Sequence, residues 1–513
     1  MASKLDTELD LGSELIFAIP GDKKQARSLR RLRDAGQLRQ LATGMYTGNL
    51  KSAAQDIAQR NWSRVVSNFA PGAVLSHRSA FDNRPEGQQV FITRTAGQRR
   101  FDVPGLTLAA VIYPEGAPVL DAVHPLARDI PYQAFFVASQ ARAFLENLVA
   151  DKRLAARMLP RTDVEARLER VMLLRGERGL NELRDAAAEL SVRLKMTAEF
   201  KLLDGLVGAL LGTHAVNKLT SVQARSRAQG RPYDSARLQL FEALAGELRG
   251  FPFADVAEPA LEGRARGVFA FAESYFSNYI EGTTFTVEEA EDIVFNGKII
   301  PLRTQDSHDV KGTFDAALRD PFYSQPPQNA DEFLNWIQSV NAAVMQGRSE
   351  IQPGQWKEKS NQAGTTLFVL PELVPGTLRA AWPLFATLHH PMQRALLSMF
   401  VVAEVHPFTD GNGRTSRLLM NSFLSAQAQC RIIVPTVFRE DYLLSLKALT
   451  HQADATAYIR AMRLCQAWTA LLNFDGSVAE LNQQLLRANA KQEDPAQSRL
   501  LSPVTGLAMR VDG

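Results

Sequence analysis

Cysteine is almost missing from this chain. Cys430 and Cys465 are the two present in 513 residues. They give no disulfide framework and no metal-ligand spacing, and they fit a reducing cytoplasm. Long apolar runs are missing as well. No stretch reaches the roughly 18 residues that a bilayer-spanning helix needs, so no membrane partner is expected. Charge of one sign is not in excess: 58 Lys and Arg against 55 Asp and Glu leave a formal +3. The whole chain is therefore no polycation, and nucleic-acid binding would have to come from a local patch. Residues 1–15 are polar and acidic, unlike a secretory signal. No internal repeat and no low-complexity segment is found. The remaining composition, 45% hydrophobic and 22% charged, excludes disordered and collagen-like classes. At this length it provides for roughly two to four packed domains.

The most informative stretch is His406-Pro407-Phe408-Thr409-Asp410-Gly411-Asn412-Gly413-Arg414-Thr415-Ser416-Arg417. The apolar run 396–405 before it reads as a buried helix. Pro407 cannot continue that helix, which leaves His406 at its end. Two glycines and a turn-tolerant Asn allow several backbone N–H groups to point into one concavity, a nest for anions. A new helix is expected to start near Arg414, and its N-terminus favours negative charge at the same place. Arg414 and Arg417 share a face of the first turn. Asp410 is the carboxylate placed for a divalent metal. Nest, metal carboxylate, two arginines and a base together suit a nucleoside triphosphate.

This stretch resembles the Fic-family signature His-x-Phe-x-(Asp/Glu)-Gly-Asn-Gly-Arg-x-x-Arg at every defined position. The resemblance implies a mainly α fold: an all-helical Fic catalytic domain with a short β-hairpin flap. It implies a protein adenylyltransferase (AMPylator), a nucleotidyltransferase that moves AMP from ATP to a Tyr, Ser or Thr hydroxyl. The acceptor would be a target protein or the chain itself. His406 would be the general base, and Asp410 would hold Mg²⁺. Gly411, Asn412 and Gly413 would form the anion hole, and Arg414 and Arg417 would clamp the outer phosphates. Fic proteins often form homodimers, so a second copy joins the expected partners.

Upstream, residues 265–280 show an apolar stripe of Phe269, Ala272, Phe276 and Ile280. Ser277-Asn278-Tyr279-Ile280-Glu281-Gly282 is similar to the Fic inhibitory motif (Ser/Thr)-x-x-x-Glu-(Gly/Asn). By that resemblance Ser277, Glu281 and Gly282 are inhibitory residues, and Glu281 pairs with Arg417. Residues 364–371 alternate or run apolar and β-branched, so a hairpin arm is expected. They stand where Fic proteins carry a flap that docks the target by strand addition, with Thr365, Thr366, Leu367 and Phe368 as the docking residues. The Asp306-Ser307-His308-Asp309-Val310-Lys311-Gly312 stretch reads as a loop in which Asp and His fix the loop or cap a helix. His389-His390-Pro391 sits at a helix boundary.

The N-terminal part reads as a small α/β, winged-helix-like domain. A basic helix over 23–33, with Leu29 and Leu32 as its apolar spacing, precedes short strands at 38–41 and 44–47. Leu32-Arg33-Asp34-Ala35-Gly36 followed by Gly44-Met45-Tyr46 is similar to the winged helix of AbiEi-type antitoxins. That resemblance implies DNA contact through residues 23–47. A helix is expected over 52–69, then strands at 90–93 and 101–112. His77 lacks neighbours at ligand spacing and reads as structural. Helices are expected over 135–154, 180–194 and 200–211, with a capping box at Thr162 and Glu165. The expected divisions are 1–135 winged-helix-like, 136–259 helical connector, 260–475 Fic catalytic domain with its inhibitory helix, and 476–513 C-terminal helix and tail. Two other functions compete with the first. One keeps the scaffold but removes AMP or uses another phosphate-containing donor. The other is a DNA-binding regulator of toxin–antitoxin type.

Overall fold

The computed structural model describes residues 13–150, 156–259, 261–319, 325–364, 366–492 and 499–510. Two compact units emerge from its contacts, Met1–Gly230 and Arg231–Gly513. The boundary falls inside the stretch 136–259. The architecture is mainly α, with strands concentrated in an N-terminal α/β region. No helix among the described residues is long and apolar enough to cross a membrane.

In the first unit, Asp22 caps the helix Lys23–Asp34 by accepting the Gln25 N–H at 2.9 Å. Leu29 is buried, while Lys23, Lys24, Arg27, Arg30, Arg31 and Arg33 stay exposed. Strands Arg39–Ala42 and Met45–Thr47 follow, and Ile16–Phe17 completes a three-stranded sheet on the far side of Met45–Thr47. Ile16, Leu29, Leu38 and Tyr46 form the core between helix and sheet. Beyond lies a six-stranded mixed sheet. Its order is Arg100–Val103, Leu106–Ile112, Gln89–Arg94, Val74–Leu75, Phe135–Val137 and Ile130–Tyr132.

Several expectations for this unit are corrected. The helix over 52–69 is two helices, Ala54–Arg60 and Trp62–Phe69. Asn61 parts them, turning its side-chain amide back to the Ile57 carbonyl at 2.9 Å. The strand over 101–112 is a hairpin turning at Gly105, where any Cβ would run into Gln55. The helix over 135–154 starts as a strand, because Phe136 and Val137 pair with Val74 and Leu75; helix begins only at Gln140. The capping box at Thr162 is not formed. Glu165 is buried and accepts the Thr220 and Ser221 N–H groups instead. His77 is structural as expected: it is buried, its N–H donates to Glu146 and its Nδ1 meets Ser76 Oγ.

The second unit is helical apart from one two-stranded ribbon and isolated bridges among the described residues. Its centre is the helix Pro391–Val405, packed along Asn412–Ser425. Leu396, Leu397, Met399, Phe400, Val401 and Val402 are all buried, so the middle of the first of these helices has protein all round it. His390 and Gln393 close its N-terminus with a capping box. Around the pair stand Ser235–Gly250, Gly263–Ile280, Ala330–Val344, Val374–Phe385 and Arg439–Gln452. Residues 306–312 are no loop; they belong to the helix Thr304–Ala317. Gly312 is there for close packing. A Cβ on it would stand 2.1 Å from the Val344 carbonyl oxygen.

Candidate active site

The helix Pro391–Val405 stops where Pro407 forbids another turn, and His406 takes the left-handed cap at φ 50°. A non-glycine residue there is held by its surroundings rather than by its own preference. The Lys357 N–H donates to the Pro407 carbonyl at 2.9 Å. His406 Nδ1 lies 3.3 Å from the Ala403 carbonyl. A carbonyl only accepts, so Nδ1 carries the proton and Nε2 is left as a base. Burial pushes the imidazole pKa down to about 4, so the ring is neutral at neutral pH. The Phe368 ring lies parallel to it, with centroids 3.9 Å apart.

The loop then turns at Gly411, φ 76°, and the second helix begins at Asn412, two residues before the expected start at Arg414. The nest and the helix N-terminus are thus one feature. The amides of Asn412, Gly413 and Arg414 fall in the first turn, where the helix has no carbonyl to offer them. The Asn412 side chain has another task than the one expected of it. Its Oδ1 accepts the Phe408 N–H and its Nδ2 donates to the Phe408 carbonyl, both at 2.9 Å, which braces the loop. Phe408 itself is buried and stacks on Trp356.

Over this first turn sits a carboxylate. A Cβ on Gly413 would lie 2.1 Å from Glu281 Oε1, so only glycine leaves room for it. Glu281 caps the helix Gly263–Ile280, which Gly282 ends at φ 95°. Arg417 Nη2 donates to Glu281 Oε1 at 2.6 Å and to the Ser277 carbonyl at 2.9 Å, while its Nε donates to Ser277 Oγ at 3.0 Å. Burial alone would raise the Glu281 pKa; the Arg417 guanidinium overrides that and holds the carboxyl below its ordinary range. Arg417 is buried, and Glu281 and Ser277 take its Nη2 and Nε.

Arg414 is braced differently. Nη1 ion-pairs with Asp309 at 2.5 Å and donates to Asn278 Oδ1 at 3.2 Å; Nη2 donates to Asp410 Oδ1 at 3.1 Å. Asp309 also meets Arg348 at 3.3 Å. The Asp410 side chain is 42% open to solvent and receives the Gly411 N–H at 2.6 Å.

The flap is present but short. Gln362–Ala363 pairs antiparallel with Thr366–Leu367. Thr365 lies outside the described residues. A cavity of about 250 Å³ opens between flap, loop and helix Arg439–Gln452, and its lining includes His406, Gly413 and Arg417. Tyr442, Leu446, Phe400 and Glu404 line its far end.

The sequence thus named the residues around the loop, and the structure brings His406, Asp410, the first-turn amides, Arg414, Arg417, Ser277 and Glu281 together. It missed Asp309, Asn278 and the cavity wall from 442 to 450. Asp309 carried no local signal, since it stands on the helix Thr304–Ala317, far from the paired arginines in sequence.

A model of the Fic/DOC family matches residues 332–424. Among curated relatives, protein adenylyltransferase fic-1 of Caenorhabditis elegans is 26% identical over 235 residues, 45% of this chain and 46% of that protein. Protein adenylyltransferase Fic of Nematostella vectensis is 28% identical over 199 residues, 38% of this chain and 46% of that protein. The chain spans a little under half the length of the curated relatives it matches. Among solved structures, Fic-1 residues 134–508 from C. elegans aligns with 63% of this chain and 91% of that chain, at 20% identity and a TM-score of 0.34. A Fic/DOC domain thus occupies residues 332–424, and it holds the flap, His406, Asp410 and both arginines of the site.

Proposed function

We propose that the chain is a protein adenylyltransferase whose resting state is held inactive by Glu281. It would transfer AMP from ATP to a Tyr, Ser or Thr hydroxyl, on a target protein or on itself. The observation that carries this reading is the carboxylate of Glu281 seated over Gly413 and bonded to Arg417. A helix N-terminus flanked by two arginines is a phosphate seat, and here an internal anion fills it.

In the active state the target hydroxyl approaches His406 Nε2 and gives up its proton as its oxygen attacks the α-phosphorus. The new O–P bond forms in line with the departing β-phosphate oxygen, the old P–O bond breaks, and pyrophosphate leaves. The low pKa of His406 keeps Nε2 unprotonated before the step. The first-turn amides and Arg414 hold the phosphate oxygens, and Arg417 joins them once Glu281 withdraws. Main-chain groups of Thr366 and Leu367 align the target segment.

Asp410 would hold Mg²⁺. Among the described residues no three His, Cys, Asp or Glu side chains cluster as a metal cage. One exposed carboxylate beside a phosphate seat is nonetheless a donor set that suits Mg²⁺, which takes its other ligands from phosphate and water. The cation, when bound, offsets phosphate charge.

The test is label transfer from ATP marked on the α- or the γ-phosphate, with wild type, Glu281→Gly and His406→Ala, with and without cell lysate. Protein should be labelled from α alone, more strongly in Glu281→Gly by about tenfold or more, which is ~1.4 kcal/mol of barrier. His406→Ala should lose about 100-fold or more. Labelling from γ would overturn the reading, and so would a Glu281→Gly variant no more active than wild type.

A further inference from the structure

Two strands of two residues each do not hold themselves in place, since even longer isolated hairpins are marginal in water. The flap must be tied down, and its ties are visible. Phe368 lies on His406. The Thr366 hydroxyl meets His451 Nε2 at 3.0 Å. Arg237 Nη2 donates to the Leu367 carbonyl at 2.6 Å. The third tie differs from the others, because its other end is a charge. Arg237 Nε lies 2.9 Å from Glu404 Oε1. Glu404 Oε2 in turn accepts the Thr450 hydroxyl at 2.7 Å. Glu404 is 5% exposed, two residues before His406 on the central helix, and both Glu404 and Thr450 line the cavity beside the histidine.

Arg237 stands on rigid ground. It lies in the first turn of Ser235–Gly250, whose cap Asp234 accepts the Arg237 N–H at 3.0 Å. The Asp234 N–H donates to Thr377 Oγ1 at 2.9 Å. Gly376 packs so closely on Pro232 that a Cβ would lie 1.9 Å from its carbonyl oxygen. Phe241, one turn further on, packs edge-on against Phe400 of the central helix. The planar guanidinium donates to the flap backbone through Nη2 and ion-pairs with the central helix through Nε, in a fixed fork that a lysine's single ammonium does not reproduce.

We propose that Arg237 is a positioning residue for transfer: held by Glu404, it fixes the Leu367 carbonyl and so sets Phe368 and the target-docking edge against His406. Arg237 lies outside the segment 332–424, so the Fic/DOC domain borrows this contact from a helix upstream of it. The function of the docking edge rests on the adenylyltransferase reading; the tether itself does not.

The test therefore has two independent readouts on the full chain. The first is hydrogen exchange at the Thr366, Leu367 and Phe368 amides. In Arg237→Ala these should exchange about tenfold faster or more, while amides of the Pro391–Val405 helix keep their protection. Arg237→Ala leaves a buried carboxylate unpaired, so the double variant Arg237→Ala with Glu404→Gln is measured beside it and should show the same flap loosening. Arg237→Lys should fall between wild type and Arg237→Ala. The second readout is transfer in a Glu281→Gly background, where Arg237→Ala should lower kcat about tenfold or more and leave KM for ATP unchanged. Unchanged flap exchange in both Ala variants would overturn the tether. A loosened flap with unchanged kcat would overturn the positioning role. If the Glu281→Gly parent transfers no label at all, the adenylyltransferase reading fails, while the exchange result still decides the tether.

Discussion

At the scale of single residues the site is governed by who fills which hydrogen-bonding position. His406 is neutral because its partial burial disfavours the charged ring, with Nδ1 committed to the Ala403 carbonyl. Its pKa of about 4 against an ordinary 6.5 means the unfolded chain binds the proton more readily than the folded one. His406 therefore costs stability as pH falls from about 6.5 toward 4, and the loss is complete below that. Activity should follow the same group. In Glu281→Gly, kcat/KM should stay level as pH drops through 6.5 and fall only nearer 5, about where a base of such low pKa begins to protonate. A pH–rate profile checks this; a midpoint at 6.5 would show an ordinary solvent-facing imidazole. Asp309 gives a second test. Its carboxylate and the Arg414 guanidinium are both buried, so Asp309→Asn leaves Arg414 short of a partner. Breaking such a pair costs about 3 kcal/mol, and thermal denaturation should show a drop of several degrees with the helix content retained. An unchanged melting point would mean that Asp410 and Asn278 alone can hold Arg414.

Elements differ in how much of them the residues announce. The 406–417 segment is contiguous, and each feature in it has a local cause: Pro407 stops one helix, Gly411 permits the left-handed turn, and the next helix starts there. It was legible for that reason. Glu281 and Arg417 are far apart in sequence, and no local rule joins them; only the resemblance to Fic proteins did. Residues 306–312 were misread because Gly312 and the cluster of polar residues look like a loop. In the structure Gly312 is the flat spot where two helix backbones approach. The strands Val74–Leu75 and Phe135–Val137 were missed for a different reason. Two or three residues are too few to show a period of two, and what makes them strands is their pairing with each other. Gly413 is the sharpest prediction at this scale. Gly413→Ala should displace the Glu281 carboxylate and also crowd the phosphate seat. Transfer should therefore stay low in Gly413→Ala with or without Glu281→Gly. A gain in Gly413→Ala alone would place the phosphate elsewhere.

For the whole molecule, the Fic/DOC domain is a core that draws in what lies upstream and downstream of it within the second unit. The Gly263–Ile280 helix supplies Ser277 and Glu281, the Thr304–Ala317 helix supplies Asp309, and Arg439–Gln452 walls the cavity. A ligand that binds only the folded state raises stability by RT ln(1 + [L]/Kd). If Glu281 competes with phosphate for one seat, ATP with Mg²⁺ should raise the melting temperature of Glu281→Gly more than that of wild type at equal concentration.

The competition itself is most directly measured as a double-mutant cycle on AMP transfer, with α-labelled ATP and four proteins: wild type, Glu281→Gly, Arg417→Ala, and both together. If Glu281 restrains transfer by occupying Arg417, Glu281→Gly should gain about tenfold or more when Arg417 is present and little or nothing when it is replaced by Ala. An equal gain in both backgrounds would mean that Glu281 acts without Arg417, and the occupied phosphate seat would not be the brake.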